Sequence, residues 1–439
     1  NRPSQEEMER ARHYQDSIQA VAQKQEEIRK AQEEAAAKTI QIDSTSALFS
    51  ATQGTEQFTT LENDLVQLTL TNKGGRVCKA MLKEYNDQKH EPLVLFDGTD
   101  ASLNFGFAGK NENILTEQMF FETTQVTDST VTMRLNAGNG GHLDFTYKLL
   151  PESYVVDFTV QATGMQNFFS PSSRSMSINW KQRARQMEKG YTFEQRYTSL
   201  TYKPNGDSFD YLSETKDEKE TIPEVLDWVA FKNQYFSCVF MAEKNFENAT
   251  LESRMEQKGS GYMKNYQADM ETAFDPTGAT PSRFQFYFGP NHFKTLLATN
   301  DLSFKDKDQE LEDLVYLGWP IIRLINRWFT INLFDWLSSW GLSMGLVILL
   351  MTIIVKVLVL PTTYKSFMSS AKMRALKPYV DKINAKYPNK EDAWSKPNGR
   401  MSSDADSDSG VYGIVLLCSE CYRTPSAKFL VGRRFVFVR

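Results

Sequence analysis

The chain has 439 residues, 41% of them hydrophobic and 24% charged, with a formal net charge of -5. That length and apolar content allow one large or two medium domains with a real core. The lack of a basic stripe with interleaved aromatics excludes a nucleic-acid binder, while an aromatic content of 12% suits β-strands and membrane interfaces.

The first block, 1–45, is dense in Glu, Gln, Lys, Arg and Ala. Its apolar residues Met8, Ile18, Val21 and Ile28 are too sparse for a coiled-coil seam, so the spacing predicts a charged helical tether. The chain opens on Asn1 and shows no signal peptide, which reads as a fragment whose exporting element has been removed.

From 58 to 300 the pattern turns to period two. The runs LVQLTLT (65–71), VTMRLNA (131–137), HLDFTYKLL (142–150), YVVDFTVQA (154–162), SMSINW (175–180), WVAFKNQYFSCVFMA (228–242) and RFQFYFGP (283–290) read as strands. NKGG at 72–75 and NGG at 139–141 supply the positive-φ positions of tight turns, and the second joins a hairpin. These features predict a mainly β fold, an antiparallel sandwich of unusual size. Residues 204–222 read as a loop of low hydrophobicity, and 301–314 as a charged connector at a domain boundary.

Two helices follow. LVYLGWPIIRLINRWF (314–329) sets Arg323 and Arg327 four residues apart among Trp319, Trp328 and aliphatics. It is too polar to span a bilayer and suits the interface, where rings sit at headgroup depth and guanidiniums snorkel. Residues 337–361 supply roughly the 20 apolar positions of a transmembrane helix, with one charge, Lys356. Lys365, Lys372, Arg374, Lys377, Lys382, Lys386 and Lys390 lie beyond it, opposed through 390 by Asp381 alone, so the C-terminal side is expected to be cytoplasmic. Within 362–392, Phe367, Ala371, Leu376, Tyr379, Val380 and Ile383 space an amphipathic basic helix, expected to be interrupted near Pro378.

No catalytic constellation stands out, and neither a metal nor a cofactor is expected. Cys78 and Cys238 sit in strand-like runs and read as buried small hydrophobes. His13, His90, His142 and His292 share no ligand spacing. The C-x-x-C of Cys418 and Cys421 lacks the β-α-β context of a redox motif. Lys356 is the residue that calls for explanation. It lies in TIIVKVLVLP, near the cytoplasmic end of the span, and a charge held at mid-depth costs about 2.5–3.5 kcal/mol. Either it snorkels harmlessly to the headgroups, or it faces a hydrated cavity that gives polar stretches of a passing client a cheaper route than lipid.

The stretch from YLGWPIIRLINRWF through LSSWGLSMGLVILLMTIIVKVLVLPTTYKSFMSSAKMRALKP resembles the YidC membrane protein insertases. The W-G-x-S block is matched by Trp340, Gly341, Leu342 and Ser343. The P-L-T-x-x-x-x-x-S-x-x-K-M pattern is matched by Pro361, Thr362, Thr363, Ser370, Lys372 and Met373, the serine being one position off in some members. LTLTNKGGRV, WVAFKNQYF and the Gly289–Pro290 pair resemble the periplasmic domain of the family's Gram-negative members. The likeness covers roughly 58–392.

The resemblance implies a mutarotase-like β-supersandwich in the periplasm over 58–300. A connector and interfacial helix would follow over 301–336, a transmembrane helix over 337–361 and a cytoplasmic helix over 362–392. It implies a non-enzymatic role in inserting and folding proteins of the bacterial inner membrane, alone or with the Sec translocon. Nascent membrane proteins and lipid would be partners, with the ribosome a partner of the full-length protein. The family's groove carries a positive residue, usually arginine; the matching position here is Lys356, which keeps the charge and loses the planar fork.

The likeness stops after Ala393. Under a suitable choice of codons, 394–439 read one base later spell a G-G-C-L-P, a Q-x-P and an E-L-R…F-L-W block in the family's order. The tail 393–439 is therefore read as out of frame and the chain as a truncated, inactive copy. The alternatives are a membrane-anchored periplasmic carbohydrate-binding module and a protein-docking module.

Overall fold

The computed structural model describes residues 46 and 48–386, apart from 111, 112, 139, 167, 170–172, 305–308 and 319. The expected tether at 1–45, the tail at 393–439 and Trp319 lie outside the described residues. The chain divides into two compact units between Tyr316 and Leu317.

The first unit is built from antiparallel strands. β1 (Phe58–Glu62), β2 (Val66–Thr71), β3 (Arg76–Asn86) and β4 (Pro92–Phe96) form a four-stranded sheet in that order. The remaining strands are β5 (Ala101–Ala108), β6 (Asn113–Leu115), β7 (Glu122–Val126), β8 (Thr130–Asn136), β9 (His142–Leu149), β10 (Val155–Thr163), β11 (Ser175–Arg185), β12 (Ser199–Pro204), β13 (Asp210–Tyr211), β14 (Glu218–Ile222), β15 (Leu226–Lys232), β16 (Phe236–Met255), β17 (Tyr262–Ala273) and β18 (Ser282–Pro290). They make a 14-stranded sheet whose spine runs β6-β5-β11-β17-β16-β18-β10-β9-β8-β7.

β16 explains how one sheet becomes a sandwich. Its first half, Phe236–Ala242, pairs with β18, and its second half, from Glu247, pairs with β17. Between them Asn245 and Asn248 take positive φ of 66° and 50°, a region asparagine tolerates, and the register shifts. The strand thus turns a corner and its two halves serve different layers. Rings from facing layers meet in the core: Phe105 of β5 lies 5.3 Å from Phe145 of β9 and 5.5 Å from Phe158 of β10. Phe240 stacks on Phe286 at 4.3 Å.

The expected mainly β antiparallel fold holds, and the 131–150 hairpin forms with β8 and β9 in register from Thr130↔Lys148 to Asn136↔His142. Cys78 and Cys238 are buried free thiols. Two local expectations need correction. The 204–222 segment is not wholly loop: β13 and β14 form within it, and β14 is an edge strand whose outward Lys and Glu suppress the hydropathy signal. The charged connector ends in buried contacts: Leu311 and Leu314 are buried, and the Trp228 indole N–H donates to the Gln309 carbonyl at 2.8 Å. The expected helix break at Pro378 does not occur: helical backbone continues through it to Lys386.

Candidate functional site

In the second unit, α4 (Pro320–Ile325) runs through a π-helical turn over Asn326–Thr330 into α5 (Ile331–Ser338); α1 (Phe49–Thr52), α2 (Tyr191–Gln195) and α3 (Phe293–Ala298) precede them in the first unit. The wider turn is tied at its start by the Asn326 amide, which donates to the Leu317 carbonyl at 3.0 Å. Leu324, Ile325, Trp328 and Trp336 stand half or more exposed on this helical stretch, as an interface-lying helix requires. Trp336 and Trp340 meet edge to face at 4.6 Å.

The stretch stops at Gly341, whose φ of +68° is where a glycine ends a helix without Cβ strain. Its N–H donates to the Ser338 carbonyl at 3.1 Å. The Ser343 carbonyl then accepts from Leu346 and Val347, opening α6 (Met344–Lys386). The turn packs Leu337 and Val347 out of solvent. The physical content of the W-G-x-S block is thus a helix stop and a helix start two residues apart.

α6 is 43 residues long and passes through both Pro361 and Pro378 without ending. Each proline removes one N–H from the ladder, but the flanking turns stay closed, so the expected interruption is absent. Met344–Pro378 has a mean hydropathy of 2.6 over its most apolar window, long and apolar enough to cross a membrane. Met344–Pro361 alone spans about 27 Å at 1.5 Å per residue, close to the hydrocarbon thickness.

Within Met344–Pro361 the polar side chains are Thr352 and Lys356, one turn apart. At about 100° per residue, Gly345, Thr352, Lys356, Thr363 and Ser370 fall within about 40° of one another. One face of an otherwise aliphatic helix is therefore small and polar along its length. Thr352 and Thr363 donate their hydroxyls to the carbonyls of Ile348 (2.8 Å) and Val359 (3.0 Å), so neither needs water. Lys356 is exposed and makes no hydrogen bond or ion pair among the described residues. Sequence reading singled out Lys356 and missed the stripe; a helical wheel on the threonines would have shown it.

A carbohydrate module would need acid and base groups beside open stacking rings. The β-unit does gather charge beside rings on the inner faces of β11, β15 and β17. There Phe231 lies between Trp180 (3.7 Å) and Tyr266 (5.1 Å), all three buried, so the rings stack on each other and offer no platform. The neighbouring Lys264 is fully buried and donates its Nζ to the Ser213 carbonyl at 2.8 Å. Burial pushes this ammonium down to about 8 against the opposing pull of Glu214, Asp217 and Glu218. Burial likewise raises Glu214 and lowers Lys232.

Comparison with known proteins adds the lineage. The family description "YidC periplasmic domain" matches residues 59–334, and "60Kd inner membrane protein" matches 336–402. The membrane protein insertase YidC of Phocaeicola vulgatus is 67% identical over 405 residues, covering 92% of this chain and 65% of that protein. That of Bacteroides fragilis is 53% identical over 400 residues, covering 90% and 64%. The chain thus spans a little under two thirds of the length of these two relatives. Among solved structures, YidC from Thermotoga maritima is similar at 12% identity with a TM-score of 0.31, over 78% of this chain and 80% of that one. A galactose mutarotase-like protein from Lactobacillus casei is similar at 12% identity with a TM-score of 0.36, over 53% and 100%. The second likeness is no evidence of catalysis. With more than half of its length matched by the periplasmic-domain description, the chain belongs to the YidC family.

Proposed function

We propose that this chain contributes a periplasmic unit and a polar-striped membrane helix to the insertion and folding of inner-membrane proteins, a role without enzymatic chemistry. Membrane proteins emerging during synthesis are its clients, alone or beside the Sec translocon, with the ribosome a partner of the full-length protein. In this reading the strands of 58–300 stand in the periplasm and 301–336 leads to the interface. Residues 337–361 cross the membrane and 362–392 lie on the basic, cytoplasmic side.

The observation that carries the reading is the polar stripe of α6 with Lys356 on it. A lone ammonium in hydrocarbon costs about 2.5–3.5 kcal/mol. A helix that instead turns it toward a hydrated groove recovers that energy and offers polar or acidic client segments a counter-charge. Thr352 and Thr363, with hydroxyls already satisfied, line such a groove without holding water tightly.

The test is a hybrid in which residues 337–386 replace the matching segment of the Phocaeicola vulgatus relative, in cells depleted of their own insertase. Lys356→Arg should keep insertion. Lys356→Leu should lower it by about tenfold or more, because the counter-charge for polar or acidic client segments is lost. Equal insertion by both variants would show that the charge has no part in it.

A further inference from the structure

The geometry points to a binding pocket on the β-unit for an alkylammonium group, the end of a lysine side chain or of a small polyamine. A cavity of about 340 Å³ opens between β3, the turn before β10, β18 and α3. That volume is at the small end of the range that holds ligands. Tyr154 and Tyr287 line it but are buried, with almost no open ring face, and the half-buried Tyr85 gives it an accessible aromatic wall. Gly289 lies behind the first two: a Cβ there would come within 2.8 Å of both the Tyr154 and the Tyr287 rings. Only glycine lets the two rings seat so closely, which assigns a structural reason to the Gly289–Pro290 pair. At the rim stand the exposed carboxylates of Glu84 and Glu152.

The hydrogen-bond inventory selects the ligand class. Most of the hydroxyls that line the cavity already have partners. Tyr287 donates to the Pro290 carbonyl at 2.6 Å, Thr299 donates to the Leu296 carbonyl at 2.5 Å, and Thr295 bonds the His292 Nδ1 at 2.9 Å. Ser153 accepts from the Val155 N–H at 3.1 Å, and Tyr154 donates to the Glu84 Oε2 at 3.4 Å. Unspent acceptor capacity remains on the two carboxylates and on the Tyr85 ring face. No Lys, Arg or His lines the cavity, and among the described residues neither Glu84 nor Glu152 has an ion pair. A sugar needs donors as well as acceptors from its site. A primary ammonium brings three donors and no acceptor, and is attracted to aromatic faces.

The experiment uses the full chain in zwitterionic detergent, titrated calorimetrically with cadaverine, with a capped Gly-Lys-Gly peptide and with glucose. The expected result is saturable binding of both ammonium probes, weakened by high salt, and none of glucose. The double variant Glu84→Gln/Glu152→Gln, both positions exposed, should weaken it by roughly tenfold or more with an unchanged circular dichroism spectrum. Tighter binding of the peptide assigns the site to a polypeptide lysine, and tighter binding of cadaverine to a free polyamine. No saturable ammonium binding by the parent chain, unchanged affinity in the double variant, or glucose binding of equal strength would overturn the assignment. None of these readouts depends on insertase activity.

Discussion

Lys264→Met isolates the energetic consequence of a buried ammonium. Lys264 sits on the inward face of β17, and burial holds its folded pKa at about 8 against 10.5 for an ordinary lysine. The folded state therefore gives up its proton earlier than the unfolded chain does. Between about pH 8 and 10 the unfolded state binds more protons, so stability rises with pH across that window. Integrating these two values from pH 7 to 9.5 gives a gain of about 2 kcal/mol from Lys264 alone. Lys232, also lowered by burial, adds in the same direction but is present in both proteins. Stopping at pH 9.5 avoids the buried tyrosines Tyr147, Tyr266 and Tyr287, whose raised hydroxyls begin to destabilise the fold as unfolded tyrosine ionises near 10. Urea unfolding of the full chain, followed by fluorescence of the buried Trp180 and Trp228, should show the parent gaining about 2 kcal/mol more than Lys264→Met over that range. Parallel pH profiles for the two proteins would refute the claim that Lys264 is buried and charged at neutral pH.

Gln309 is fully buried and neither of its side-chain amide atoms has a hydrogen-bond partner among the described residues, so Gln309→Met should stabilise the β-unit by about 1–3 kcal/mol in the same urea assay. Destabilisation would mean that the amide has found a partner. Gly341→Ala forces a Cβ into left-handed backbone at φ +68°, and should weaken the turn before α6 by about 1–2 kcal/mol, read as faster hydrogen exchange at Gly341 and Leu346. Phe240→Ala removes a ring stacked at 4.3 Å on Phe286, and should cost about 3–5 kcal/mol of β-unit stability, read from the urea midpoint.

Much of the fold was legible because the relevant signals are local. VTMRLNA and HLDFTYKLL alternate cleanly since one side of each strand is core and the other solvent. β17 escaped notice for a specific reason. Its buried positions include Lys264 and Thr272, so the apolar alternation shrinks to Tyr266, Ala268 and Met270 while burial alternates further. β16 was seen only to Ala242, because its second half pairs with a different layer and carries polar residues past the bend at Asn245 and Asn248. The expected break at Pro378 failed because a single missing hydrogen bond does not end a helix whose neighbouring turns are intact.

The sequence by itself determined the strand periodicity, the apolar helix and the lone charge of Lys356 within it, for these depend on residues within a few turns of one another and on transfer from water. Only the tertiary structure decided that Lys264 would be stripped of solvent. It alone placed Tyr85, Tyr154 and Tyr287, separated by tens to hundreds of positions, around one cavity. Desolvation and enclosure come from neighbours that strand pairing supplies, and pairing between distant segments leaves no mark at either position alone.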